Sequence, residues 1–211
     1  MISLFIYKDI VKMKVIKIIG FLMLGLFVFI QSYMTMATNR TEQQKYSIVR
    51  KYKDFEIRFY PSATFATITS NAKSYKDLSG NGFRKLAGYI FGDNESKTQI
   101  SMTAPVHMDV NDILSSMSFV MPSDYNISNL PKPGNSNVII KTTKDEYIAA
   151  LRFGGFANDK NLAYHSEKLR MILLAEGIRT YGNYRNLGYN PPFQLFGRRN
   201  EIIVSVEWNE K

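Results

Sequence analysis

The sequence predicts an α+β fold in which a β-β-α-β-β unit is written twice, each helix covering one face of a curved antiparallel sheet. Three observations carry that expectation. Short stretches alternate apolar and polar side chains with period two, as in Phe55, Ile57 and Phe59 against Glu56, Arg58 and Tyr60. Two longer stretches, 75–91 and 158–176, carry apolar residues at helical spacing. Between them a loop over 125–137, with Pro131, Pro133 and Gly134, divides the chain into halves with the same element order. At 211 residues, 45% hydrophobic and 21% charged, the chain suits one ordinary domain with a real core.

The elements follow in order. Lys8, Lys12, Lys14 and Lys17 precede an uninterrupted apolar run from Ile18 to Ile30, and Thr35-Met36-Ala37 supplies small residues at minus three and minus one for cleavage after Ala37. That is the layout of a secretory signal, with Met13 as a possible start. A bilayer-spanning helix needs about 20 apolar residues, so the run is short for a permanent anchor; anchoring through residues 18–30 is the alternative. The expected division is a signal peptide or anchor over 1–37, a polar tether over 38–51 and a domain over 52–208. Strands are expected at 52–60, 63–69, 99–110 and 117–121, with the first domain helix over 75–91. In the second half, strands at 138–143 and 147–153 lead to a helix over 158–176 and strands at 183–189 and 201–208. Asn158 or Asp159 can cap that second helix, and Gly177 can close it.

Composition limits the partners. No cysteine is present, which excludes a disulfide framework, and export without disulfides suits a bacterial periplasm. Formal net charge is +9, and the domain stays basic without the leader, but its Lys and Arg are scattered rather than striped. Nucleic acid is therefore not an expected partner, and the membrane is one only through the N-terminal segment. A monomer is expected.

The motif with most content is GFRKLAGYIFGDNESKTQISMTAPV over 82–106. Its apolar stripe ends at Gly92, a natural helix stop, and an extended Met-Thr-Ala-Pro-Val segment follows. This segment resembles the SOUL heme-binding protein family, as does a second block running from Gly188-Tyr189-Asn190-Pro191-Pro192 to Gly197-Arg198-Arg199-Asn200-Glu201. The resemblance covers about 52–207. It implies a twofold pseudo-symmetric, distorted antiparallel β-barrel with two helices packed on it, similar to gyrase-inhibitor-like small-molecule-binding domains. It also implies heme or another tetrapyrrole as ligand, beside the first domain helix.

A tetrapyrrole is a flat apolar disc with two carboxylates, so it requires an apolar slot and cations at the rim. Phe83, Leu86, Ala87 and Ile90 of the helix, with Met102 and Ala104 of the following strand, are the candidate walls; helix-on-sheet core is the competing reading. Arg84, Lys85 and Arg198 are the candidate anion rim, with Lys76 nearby. Two departures from the family bear on the binding mode. Where some members place an axial histidine this chain has Phe59, and where others place basic residues it has Gly80, Gly88 and Gln194. His107 is the remaining candidate metal ligand, and strict alternation turns it away from Met102 and Ala104 unless a bulge at Pro105 changes the register. His165 is expected to face solvent. Arg198-Arg199-Asn200-Glu201 is expected to satisfy loop carbonyls and form an ion pair.

No nucleophile elbow, zinc-binding histidine pair or phosphate-cradling loop is present. The expected function is therefore non-enzymatic: an exported binder of heme or a related tetrapyrrole without a histidine at the family position. The alternatives are a binder of another amphipathic anion or lipid, and a small hydrolase using a pocket carboxylate.

Overall fold

A computed structural model describes residues 2–209, with side chains from Lys12 onward. A long helix, α1 (Ile2–Arg40), leads into two short strands, β1 (Glu42–Gln43) and β2 (Ser47–Lys51). The first repeat then runs β3 (Glu56–Tyr60), β4 (Thr64–Ser70), α2 (Tyr75–Ile90), β5 (Thr103–Ala104), β6 (Val106–Asp109) and β7 (Ser115–Val120). The second runs β8 (Ile139–Thr142), β9 (Glu146–Phe153), α3 (Asp159–Ala175), β10 (Thr180–Gly188) and β11 (Asn200–Val206).

Nine of these strands form one antiparallel sheet in the order β2-β3-β9-β11-β10-β6-β7-β4-β8. The duplication is visible in that order. About the β10–β6 junction, where Leu187 pairs with His107, β11 answers to β7, β9 to β4 and β3 to β8. Each repeat thus lends its first strand to the other repeat's edge: β3 pairs with β9, and β8 with β4. The expected α+β class, duplicated and with helices packed on a curled sheet, is what the chain adopts.

Both helices begin and end as their sequences dictate. Ser74 caps α2 by accepting from the Asp77 amide, and Asn158 caps α3 by accepting from the Asn161 amide. Gly92 and Gly177 follow the two helices at φ +112° and +66°, the left-handed region where a Cβ is costly. The Asp159 carboxylate also accepts from the Tyr75 amide at 2.6 Å, tying the two helix starts together.

Both helices lie on the same side of the sheet. Leu78, Leu86, Tyr89 and Ile90 of α2 pack on Ala66, Ile68, Met108, Met117 and Phe119. Leu169 and Leu173 of α3 pack on Ile57, Ala149, Leu151, Ile202 and Val204. Alternation sends the intervening side chains to the opposite face, where Tyr60, Ala104, Ile148, Ala150, Leu187, Tyr189 and Ile203 form a third, smaller cluster.

One expectation about the N-terminal third needs correction. The tether expected over 38–51 is ordered structure: β1 pairs in parallel with β5, and β2 pairs with β3 as the outermost strand of the sheet. Its polarity reflects an exposed edge rather than a flexible linker. The segment before it is one unbroken helix through Arg40, which takes in Thr35-Met36-Ala37.

Candidate functional site: the face opposite the helices

The slot expected between α2 and the sheet is closed. Leu86 and Ile90 are fully buried in the core, Ala87 is buried, and Phe83 packs edge-on against Phe119 at 5.3 Å between ring centres. Met102, at 40% exposed, and Ala104, buried in the opposite-face cluster, do not join them. The stripe was correctly read as helical, and its partners are the protein's own side chains. Arg84, Lys85 and Lys76 are exposed on the outer surface of α2. Phe59 sits against Tyr147, 5.1 Å between ring centres.

The open space lies on the other face. A cavity of about 210 Å³ is walled by Phe65, Ile148 and Ile203, with His107 in its lining and Lys141, Lys144, Arg185 and Glu146 around it. A second cavity, of about 400 Å³, is lined by Pro61–Thr64, Thr103, Met121–Ser123 and Tyr125–Ile127. Gln44 borders both. The segment Glu42–Tyr46 therefore runs as a strap between the two spaces. The Gln44 amide donates to the Ala104 carbonyl at 2.8 Å, and Gln43 and Tyr46 each receive a weak bond from Arg199.

His107 was the weaker candidate in the sequence, and the structure moves it into the cavity wall. As alternation requires, it faces away from Val106 and Met108, which look toward α2. Its Nε2 meets Gln44 Oε1 at 2.7 Å, and its ring stands edge-on to Phe65 at 5.0 Å. Burial, reinforced by the charges of Arg185 and Lys141, lowers its pKa to about 3, so the imidazole is neutral at physiological pH. A neutral ring keeps a lone pair, which an imidazolium lacks. Ala104 also borders this face, so alternation breaks at Pro105 between β5 and β6 and places Ala104 on the side of His107 rather than of Val106, against the strict alternation expected from the sequence.

Beside the cavity lies a buried ionic network whose Arg58–Glu201 link, across 143 residues, no local pattern announces. Glu201, fully buried, receives Arg58 Nη1 at 2.7 Å and Nη2 at 3.1 Å, Arg199 Nη2 at 2.8 Å and the Tyr189 hydroxyl at 2.9 Å. Arg58 also donates to Glu56 at 2.8 Å and lies over the Tyr46 ring at 4.3 Å. Two cations thus meet two carboxylates. Burial alone would raise the Glu201 pKa, but the hydrogen bonds and charges of Arg58 and Arg199 outweigh it and hold the pKa below the usual carboxylate value. Burial also pushes the neighbouring Tyr60 up to about 12, so the phenol stays protonated. Stranding one partner of such a pair costs about 3–5 kcal/mol, which makes this a structural floor for the strap rather than a reactive centre.

The Arg198–Glu201 block behaves as its residue types suggested. Arg198 donates to the Pro191 and Gln194 carbonyls, both at 2.7 Å, and stacks over Phe156 at 4.5 Å. Asn200 donates to the Gly155 carbonyl at 2.8 Å. Arg198 therefore braces its own loop and does not share a rim with Arg84 and Lys85, which lie on α2. His165 departs from expectation: it is half-buried, stacked on Phe153 at 4.1 Å, because α3 turns that face toward the sheet. No group of three or more metal-ligating side chains occurs among the described residues.

The fold is that of an α+β domain with a duplicated sheet, helices on one face and cavities on the opposite face. The chain belongs to the SOUL heme-binding protein family, which it matches over residues 41–205. It is 29% identical over 155 residues to heme-binding protein 1 of Xenopus laevis, covering 70% of this chain and 81% of that one. To heme-binding protein 2 of Mus musculus it is 30% identical over 164 residues, 74% of this chain and 79% of that one. Among solved structures the fold is similar to the EcmrR C-terminal domain, with TM-score 0.55, 11% identity, and coverage of 78% of this chain and 99% of that domain. A hydrolase from Listeria innocua is similar at TM-score 0.52 and 10% identity, over 75% and 94% of the two chains. At such identities these two likenesses show the fold alone.

Proposed function

We propose that this protein binds heme or a related tetrapyrrole on the sheet face opposite the helices, beneath the Glu42–Tyr46 strap, as an exported carrier rather than an enzyme. The observation that carries the proposal is the His107 imidazole in a cavity walled by Phe65, Ile148 and Ile203 and bordered by Lys141, Lys144 and Arg185. Family membership supports the ligand class.

The residues fit such a ligand in chemistry. Apolar walls suit a macrocycle, Lys141 and Lys144 suit its carboxylates while Arg185 is held by Glu146 at 2.8 Å, and His107 offers a nitrogen ligand to an iron. When bound, the iron would supply a coordination site and redox chemistry. The fit in volume needs both cavities. Small-molecule sites hold roughly 300–1,000 Å³, and the His107 cavity holds about 210 Å³. The strap therefore has to yield so that the adjoining space of about 400 Å³ becomes continuous with it. Tyr46 is held by stacking on Tyr60 and under Arg58, and Glu42 by the Ser123 amide. The part that would yield is therefore Gln43–Gln44, held by a two-residue parallel pairing, one backbone bond, a weak bond from Arg199 and the Gln44–His107 contact. The displaced Gln44 would release His107 at the moment the ligand arrives.

A different amphipathic anion is the second reading, favoured by Lys141 and Lys144 without any need for iron. Absorbance titration with hemin separates the two. For the tetrapyrrole reading the wild-type chain gives a saturable Soret shift at one equivalent, and His107→Ala binds at least tenfold more weakly with an altered Soret maximum. No Soret shift at micromolar hemin, together with a co-purifying lipid in native mass spectrometry, would replace heme by that lipid.

A further inference from the structure

We infer that α1 stays attached and that the loop between β10 and β11 dips its aromatic tip into the same membrane leaflet, so that the domain is seated on a lipid bilayer by two adjoining contacts. This does not depend on which ligand the opposite face holds.

The starting observation is how α1 meets the domain. Gln31, Met34, Thr35 and Thr38 are partly buried while their neighbours are exposed, a stripe at helical spacing on the side facing the domain. Gln31 clamps the loop in both directions: its amide donates to the Phe193 carbonyl at 3.3 Å, and its carbonyl accepts from the Leu195 amide at 2.9 Å. Thr38 donates to the buried Gln194 at 2.8 Å. The cleavage position expected after Ala37 falls inside this contact.

The second observation is what the loop exposes. Phe193, Leu195 and Phe196 are 60%, 43% and 64% exposed, and Phe156, under Arg198, adds a fourth apolar surface. Contiguous exposed apolar surface of this kind marks a binding face. Its occupant is indicated by its neighbour. Phe196 packs edge-on against Phe27, 6.5 Å between ring centres, and Phe27 belongs to the apolar run of a helix whose Lys12–Arg40 stretch is long and apolar enough to cross a bilayer. Phe27 precedes Gln31 by one turn, about 6 Å along the axis. A loop tip level with Phe27 therefore reaches about 5–10 Å into the acyl boundary, the depth at which interfacial apolar side chains sit. Arg40, exposed at the end of α1, and Arg198 at the base of the loop lie on the headgroup side. Lys12, Lys14 and Lys17 precede the apolar run and keep that end on the cytoplasmic side, which leaves the domain outside.

The absence of cysteine makes the test direct. The full chain, extracted from its membranes and placed in phosphatidylethanolamine–phosphatidylglycerol nanodiscs, is labelled with an environment-sensitive fluorophore at Phe196→Cys, at Phe193→Cys, or at Ile113→Cys. Ile113 is 89% exposed in the β6–β7 turn, at the sheet end opposite the loop. The expected result is blue-shifted emission at both loop positions, quenched severalfold more by a shallow lipid-borne quencher than the Ile113 label. Equal, water-like emission at all three positions would overturn the proposal, as would intact mass showing that the membrane-derived chain begins at Thr38.

Discussion

His107 joins the site's chemistry to the protein's stability. Its pKa in the fold lies near 3, against an ordinary 6.5, because burial and the nearby Arg185 and Lys141 disfavour the charged ring. Between those two values the unfolded chain binds a proton that the folded chain refuses, so stability falls as pH drops through that window. Thermal melts at pH 7 and pH 4.5 should show a larger loss for wild type than for His107→Gln. His165, also held below its ordinary value by burial, titrates the same way in both proteins and leaves the difference intact. Glu201, with its pKa held down by Arg58 and Arg199, contributes stability that is lost only at lower pH. An identical pH dependence in the two proteins would mean that the imidazole is solvated rather than walled in.

At the level of elements, the helices were the most legible part of the sequence, because a stripe at 3.6-residue spacing, a side-chain cap and a closing glycine are all local signals. The same stripe suggested a slot that the core fills. Leu86 and Ile90 are where the pattern put them, but a stripe cannot say whether its partner is a ligand or Met117. Gly82 shows the difference. A Cβ there would stand 3.1 Å from Ile68 Cδ1 and 3.3 Å from Met117 Sδ, so this glycine sets how closely α2 approaches the sheet, while Gly80 two residues earlier faces open space. Urea unfolding should therefore show Gly82→Leu losing about 1–3 kcal/mol from overpacking. Gly80→Ala should gain up to about 1 kcal/mol from helix propensity alone. A gain at both positions would mean that α2 sits loosely and that the slot can open after all.

For the molecule as a whole, the duplicated order of strands and helices was legible because both halves repeat it. What joins the halves was not. The exchange of β3 and β8 between repeats depends on pairings between distant strands, and Arg58 meets Glu201 across 143 residues of sequence. The strap Glu42–Tyr46 was hidden for another reason: its strands are too short and polar to show a period, so only the folded chain reveals that it crosses the open face. These unseen connections bring His107, Gln44, Lys141 and Arg185 together, and they move the candidate site from one side of the sheet to the other. Backbone hydrogen exchange of the full chain with and without one equivalent of hemin tests that placement. A ligand beneath the strap changes the exchange of the Gln44 amide, now bonded to Ala104, and of the β6 amides, and leaves α2 as it was. Exchange that changes along Tyr75–Ile90 while the strap and β6 stay constant would contradict it.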